Sequence, residues 1–336
     1  MNMHRVVAAV SRKPLSMGGF RAPHREFHKS YTRFMAKRES EIKTVAVIGA
    51  GQMGTGIAMV AAKNAGVQVL LSDQSARARD KGLAFIDKLL EKDVAKQRMT
   101  AEEAHLTRGR VKAVDEMSSS LMERVDLVIE AVAEKLSIKQ LIFSQLASIC
   151  RPDAILASNT SSISLTKIAA SAVDSRRCDG SKVNQSAGRV LGLHFFNPVP
   201  VMSVVEVISA LQTTPDVVER ARLFVNACGK VVTVSQDTPG FISNRVLMPM
   251  INEAIICLEQ GIASRDDIDD TMKRGTNVPM GPLTLADFIG LDTCLSIMEV
   301  LHQGTGDSKY RPSILLARMV DAGWLGKKTG RGFYEY

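Results

Sequence analysis

The sequence predicts an α/β chain, with a doubly wound parallel sheet over residues 41–236 followed by a smaller all-helical domain over 243–336. Three observations carry that expectation. Short apolar and β-branched runs at 45–48, 67–71, 125–132, 154–157 and 190–196 alternate with segments of helical apolar spacing, the pattern of a parallel sheet covered on both faces. A hinge around Pro239-Gly240 occupies 237–242. Beyond it, Val246, Leu247, Met250, Ile251, Ala254, Ile255 and Leu258 keep helical spacing.

The first strand, 45–48, breaks into Gly49-x-Gly51-x-x-Gly54. A strand that turns sharply into a helix, lets a diphosphate approach bare backbone, and then packs helix on strand needs glycine at those three places. A helix is expected over 55–65 and a second strand over 67–71, closed by Asp73, 24 residues past Gly49. A carboxylate there accepts bonds from the adenosine ribose hydroxyls and repels a 2′-phosphate. The expectation is a Rossmann-type domain that binds NAD in preference to NADP. Gln52 and Met53, between the last two glycines, belong to the same cofactor-binding turn.

Residues 77–98 read as a Lys-rich helix, and Thr100 as the cap of the next one. The strand at 125–132 is followed by a helix to residue 149, then by strands at 154–157 and 190–196. The polar stretch 174–188 reads as a surface insertion with little to bury. In the helical domain Gly261 ends the first helix, and Ser264 to Asp267 has the form of a capping box opening the second. Its apolar faces, including Met248, Met250, Ile256 and Leu258, exceed what a four-helix unit buries, which suggests a homodimer formed through this domain.

Charge is distributed unevenly. Residues 1–40 hold nine Lys/Arg against two Glu, a net +7, whereas the rest of the chain has 34 basic and 33 acidic residues, a net +1. A near-neutral body argues against nucleic acid as a partner, and no apolar stretch has the length of a membrane span. The leader carries no acid before Glu26 and mixes Arg with Ser and with Val6, Val7 and Val10, so it resembles a mitochondrial transit peptide; a disordered basic tail and an early start codon upstream of a cytosolic enzyme are the alternatives. The five cysteines are odd in number and form no CxxC pair, the usage of a reducing compartment. With no zinc-ligand spacing and no HExxH, no metal is expected. The mitochondrial matrix fits both features.

Candidate catalytic groups come from His194-Phe195-Phe196-Asn197-Pro198 and from Glu206, 12 residues after the histidine. Oxidising a secondary alcohol sends a hydride to the nicotinamide while the hydroxyl loses a proton, and imidazole titrates close to physiological pH. A carboxylate beside it would fix its tautomer and stabilise the imidazolium. The alternative for His194 is a buried histidine satisfying backbone groups. Elimination favours the base: His4, His24 and His28 fall in the leader, His105 in a polar helix and His302 far into the helical domain.

Five blocks then resemble one family. SNTSS at 158–162, HFFNPVPV at 194–201, DTPGFISNR at 237–245, PMGPLTLADFIGLD at 279–292 and the terminal GWLGKKTGRGFYEY look like the L-3-hydroxyacyl-CoA dehydrogenases. GDSKYRPSILL at 306–316 is most similar to their short-chain 3-hydroxybutyryl-CoA members. The resemblance runs from about residue 43 to the C-terminus, interrupted near 174–188. It implies reversible NAD-dependent oxidation of a (3S)-3-hydroxyacyl-CoA in fatty-acid or butanoate metabolism. It implies His194 as base, Glu206 as its partner, and Ser161 and Asn244 as donors near the substrate oxygens. On sequence alone Ser161 could equally be a loop hydroxyl and Asn244 a helix cap. The resemblance further implies cofactor contacts at Glu134, Lys139, Ser161, Asn197 and Lys328. Lys92 and Lys96 match lysines that bind coenzyme A phosphates, a solvated basic face being the alternative.

Overall fold

The structure, a computed structural model, describes residues 40–173 and 185–336. The leader (1–39) and residues 174–184 of the polar insertion lie outside the described residues.

An eight-stranded sheet runs in the order β3-β2-β1-β4-β5-β6-β7-β8. Its strands are β1 (Thr44–Ile48), β2 (Gln68–Ser72), β3 (Val111–Val114), β4 (Leu127–Glu130), β5 (Ile155–Ser158), β6 (Val190–Phe195), β7 (Val204–Ser209) and β8 (Val231–Gln236). The first six run parallel. β7 then pairs antiparallel with β6, and β8 runs parallel with β7. Order reverses direction between β1 and β4, so the carboxyl ends of those strands open the crevice where ligands bind in such sheets.

The helices of this domain are α1 (Gln52–Val60, continued by a π turn to Ala65), α2 (Ala76–Ala95), α3 (Ala101–Gly109), α4 (Ser119–Met122), α5 (Leu136–Ile149), α6 (Leu165–Ser171) and α7 (Pro215–Ala227). Neighbouring residues of β1 serve opposite faces: Val45 and Val47 pack with Ile57, Ile86 and Phe224 of α1, α2 and α7, while Ala46 packs with Phe143 and Ile168 of α5 and α6. Burial on both faces is why the strand reads as an unbroken apolar run. Thr100 caps α3 as expected, and Glu103 completes the box by accepting the Thr100 N–H at 2.7 Å.

Three expectations need correction. Strands β3, β7 and β8 are additional to the expected ones, and the sheet is mixed at one edge instead of uniformly parallel. The end of the polar insertion is not surface: Gln185–Arg189 is a short 3-10 helix in which Ala187 is buried. Arg189 there is buried too, and its guanidinium donates to the carbonyls of Ala147, Arg151 and Ala154. Met248 is part of the helical domain's own core, not of a surplus apolar face.

The helical domain holds α8 (Ser243–Glu259), α9 (Arg265–Gly275), α10 (Pro282–Ile289), α11 (Leu291–Thr305) and α12 (Ile314–Asp321) around Met248, Ile251, Ile255, Leu283, Leu291 and Met298. Ser264 caps α9, its hydroxyl accepting the Asp267 N–H at 3.2 Å, but the Asp267 carboxylate returns to that hydroxyl and not to the backbone. Two buried carboxylates tie distant segments together. Asp269 accepts the N–H groups of Leu283 and Thr284 at the start of α10, and Asp287 accepts those of Phe333 and Tyr334, fixing the C-terminal segment.

Candidate active site

The glycines after β1 answer different steric demands. Gly49 adopts φ +106°, and a Cβ there would lie 2.6 Å from the Ala131 carbonyl oxygen. A Cβ on Gly54 would lie 1.8 Å from the carbonyl oxygen of Gly49. Gly51 is the N-cap of α1, and a Cβ there would meet nothing within 4 Å. Two glycines are therefore required by the fold itself. The middle one leaves open space above a helix start, where the positive end of the helix favours a diphosphate.

Asp73 stands beside this turn. Its Oδ2 accepts the Ala50 N–H at 2.9 Å and its Oδ1 the Ser75 N–H at 2.9 Å. A groove of about 550 Å³ extends from it, lined by Gly49, Asp73, Gln74, Val132, Ala133, Ile138 and Ile142 among others. Apolar walls for an adenine and a carboxylate for a ribose diol fit NAD. Arg79, one turn into α2, donates to the Asp73 carbonyl oxygen and pairs with Asp115, so its guanidinium is already occupied where a 2′-phosphate would need a free one. Gln52 is exposed and Met53 half-buried against the sheet core. The Gln52 amide donates to Asn197 Oδ1 at 2.9 Å, joining the glycine turn to the loop after β6.

His194 and Glu206 are direct partners in the β6–β7 register, and His194 Nδ1 lies 2.7 Å from Glu206 Oε2. An ionised carboxylate can only accept, so Nδ1 is the donor of this pair and Nε2 is the nitrogen left to face a ligand. Both residues are buried, and the imidazole is walled by Phe196 and Phe241. Glu206 has a second set of partners: Oε1 accepts the N–H groups of Ile242 (3.2 Å) and Ser243 (2.9 Å), and Oε2 the Ser243 hydroxyl at 3.2 Å. The histidine's partner thus also caps α8, the first helix of the second domain. Burial pushes the Glu206 carboxyl up, but the bonds from His194 and Ser243 outweigh it and hold the group below the ordinary carboxylate range.

That shift has a sign for stability. A carboxyl whose folded value is depressed stabilises the fold above its unfolded value, and the contribution is lost as pH falls through the folded one. Glu206→Gln should therefore lower stability by about 2 kcal/mol at pH 7. Melting curves of both proteins from pH 7 to pH 3 should converge at the acid end; a gap that stays constant with pH would show that the charge of Glu206 contributes nothing.

A second carboxylate cluster organises the loop after β5. Glu134 Oε1 accepts the Thr160 hydroxyl at 2.5 Å, the Ser161 N–H at 3.0 Å and the Ser161 hydroxyl at 3.4 Å. Burial again raises its carboxyl, and Lys139 together with the loop donors more than reverses this. Lys139 itself has no solvent exposure: its ammonium contacts Glu130 at 2.8 Å and 3.0 Å and Glu134 at 3.3 Å. It is placed to act through Glu134, beneath the surface a ligand would touch. Asn244 is not the cap of α8; it lies inside that helix, and its amide donates to the Ser161 carbonyl oxygen at 3.3 Å. Ser161, Glu134, Asn244 and the His194–Glu206 pair are brought together by the ends of β4, β5 and β6 and the start of α8.

Other expected residues lie apart from this cluster. Lys328 is exposed in the helical domain and bonded to both Asp292 carboxylate oxygens at 2.5 Å and 2.6 Å. Lys92 lies in the last turn of α2 and Lys96 is its C-cap, both exposed. Sequence reasoning missed Glu130, Ser243 and Asn159, whose Oδ1 accepts the Phe195 N–H beside His194. Glu130 had a readable signal: a carboxylate inside an apolar strand buried on both faces needs a charged partner.

With this geometry in place, similarity to known proteins is informative. Residues 44–238 match the NAD binding domain of 3-hydroxyacyl-CoA dehydrogenase, and residues 240–336 match its C-terminal domain. A 3-hydroxybutyryl-CoA dehydrogenase of Bradyrhizobium diazoefficiens is 49% identical over 295 residues, covering 88% of this chain and 96% of the relative. One from Clostridioides difficile is 43% identical over 293 residues, covering 87% and 99%. The crystal structure of (S)-3-hydroxybutyryl-CoA dehydrogenase from Ralstonia eutropha is 44% identical with a TM-score of 0.81, covering 88% of this chain and 99% of that one. Matches that span both domains, on a glycine turn shaped for NAD, establish that the chain belongs to the 3-hydroxyacyl-CoA dehydrogenase family and is an NAD-dependent oxidoreductase.

Proposed function

We propose that the chain interconverts (3S)-3-hydroxybutyryl-CoA and acetoacetyl-CoA, with His194 as general base oriented by Glu206. The observation that carries this reading is the 2.7 Å contact between His194 Nδ1 and Glu206 Oε2 at the ligand edge of the sheet, which fixes the ring and turns Nε2 away from the carboxylate. Bound NAD supplies the hydride acceptor. His194 takes the hydroxyl proton during oxidation, and Glu206 holds the resulting imidazolium. Ser161 and Asn244 donate to the substrate oxygen as its charge develops, where a closed, dry site makes such donors most effective. Asn244 belongs to the helical domain and Ser161 to the sheet domain, and the 3.3 Å bond from the Asn244 amide to the Ser161 carbonyl oxygen already joins the two halves of this donor set. The full chain should consume NADH with acetoacetyl-CoA; absence of turnover with that substrate would overturn the assignment.

Lys92 and Lys96 are proposed to bind the phosphates of coenzyme A, supported by their exposure at one end of α2. Replacing both with alanine is expected to raise the KM for acetoacetyl-CoA about tenfold, as two surface phosphate contacts worth roughly 0.7 kcal/mol each would, with kcat unchanged. An equal KM in the variant would return the pair to a solvated face. The cofactor contacts of Asn197 and Lys328 are proposals of the same kind.

Two further features are proposed. A homodimer forms through the helical domain, supported by the exposed apolar side chains Val246, Phe288 and Ile314; light scattering tests it. The net +7 leader addresses the chain to the mitochondrial matrix, supported by its acid-poor, Arg- and Ser-containing composition; a fluorescent fusion of residues 1–40 tests that. No helix among the described residues is long and apolar enough to cross a membrane.

A further inference from the structure

Lys230 is a buried lysine that the proposed chemistry does not use. It stands immediately before β8, 8% exposed, and its ammonium donates to the carbonyl oxygens of Val199 at 2.8 Å and Met202 at 2.6 Å. Both acceptors lie in the loop 196–203, which joins the His194 strand to the Glu206 strand. Burying an ammonium costs free energy that only well-placed acceptors offset, and a methionine would fill the same apolar path without that cost. What the ammonium gains is a fixed loop.

The loop in turn reaches the dinucleotide helix at two points. Asn197 Oδ1 accepts the Gln52 amide, and Val199 packs against α1 so closely that a Cβ on Gly56 would lie 2.9 Å from its own Cβ. Inside the loop the N–H groups of Val201 and Met202 both donate to the Pro198 carbonyl oxygen, closing a compact turn between the two anchors. Val231, next to Lys230, donates its N–H to Ser203 at 2.7 Å, which places the lysine directly under the loop's end.

We propose that Lys230 is a positioning residue for cofactor binding: by holding Val199 and Met202 it sets Asn197 and Gln52 at the mouth of the glycine turn. The proposal rests on NAD binding and not on the acyl-CoA assignment.

A neighbouring contact separates positioning from simple stability. Asn64, at the far end of the same helix segment, donates to the Cys228 carbonyl oxygen at 2.8 Å and so braces the turn that leads into Lys230 without touching the loop. NADH titration by fluorescence, without acyl substrate, reads the outcome in the full-length protein. Lys230→Met should weaken NADH binding about tenfold, because the two charge-assisted bonds also hold the loop in the unliganded protein and only part of their free energy is coupled to binding, and Lys230→Gln, whose shorter neutral amide restores part of that hold, should fall between. Asn64→Ala should lower the melting temperature while NADH affinity stays at the wild-type value. Wild-type affinity in the Met or Gln variant would overturn the proposal, as would an equal loss in Asn64→Ala. Should the Met variant fail to fold, the Gln variant decides. Because no acyl-CoA is present, a chain that bound NADH as expected but turned over no acetoacetyl-CoA would count against the proposed substrate alone.

Discussion

Replacing His194 with glutamine is expected to reduce turnover by about two to four orders of magnitude while leaving NADH affinity unchanged. The two halves of that expectation come from different parts of the structure. His194 lies at the end of β6, whereas the turn that would hold the diphosphate follows β1. Glutamine is close in length and can still donate to Glu206 Oε2, so the register pair of β6 and β7 need not open. What it lacks is a basic nitrogen. The lost rate is therefore the proton transfer, and it should appear in kcat and in kcat/KM together, the mark of an interaction made only in the transition state. Glu206→Gln should cost less at pH 7, because the imidazole remains, although its tautomer is no longer dictated by a group that can only accept. A His194→Gln enzyme running at the wild-type rate would remove the imidazole from the mechanism and leave the 2.7 Å pair as structure alone.

The parts of this arrangement that were legible in the sequence are those carried by local constraint. Gly49, Gly51 and Gly54 are separated by one turn, and each demand on them acts over a few residues. His194 could be found by elimination, because few histidines are available and the others lie in unsuitable segments. The remainder depends on contacts the chain makes with itself at long range. β7 reverses against β6 because the loop 196–203 folds back, and no periodicity within VVEVIS reveals the direction of its partner. Lys139 reads as one more lysine on a helix until Glu130 and Glu134 are seen to enclose it. Glu206 is visible as a carboxylate near His194, yet its second role as the cap of α8 requires Ile242 and Ser243, 36 and 37 residues later, to arrive beside it. Met248 misled for the same reason: a helix with apolar residues on most faces is ambiguous between a domain core and a subunit interface, and only packing against Leu283 and Met298 decides.

Gly51→Ala and Gly54→Ala form a pair whose opposite outcomes test the cofactor site without reference to any substrate. At Gly54 the added methyl would sit 1.8 Å from the Gly49 carbonyl oxygen and 3.3 Å from the Val47 side chain. No rotamer can relieve a Cβ, so α1 must move away from β1, at a cost of about 3 kcal/mol or more. Since one or two kcal/mol is already a large fraction of a typical stability, this variant is expected to be poorly folded or to melt far below the parent. At Gly51 the backbone has φ −73° and ψ −174°, open to any residue, and the methyl would enter space empty of protein. Only the modest disadvantage of alanine as a helix cap opposes it, roughly 0.5–1 kcal/mol. Yet that empty space is where the diphosphate must approach the backbone, so NADH affinity should fall by about tenfold or more, equivalent to at least ~1.4 kcal/mol. Circular dichroism melts and NADH titrations of both variants separate the two effects. A Gly51→Ala protein that binds NADH as well as the parent would mean the diphosphate does not pass over this helix start, and the fit of the glycine turn to the dinucleotide would have to be abandoned.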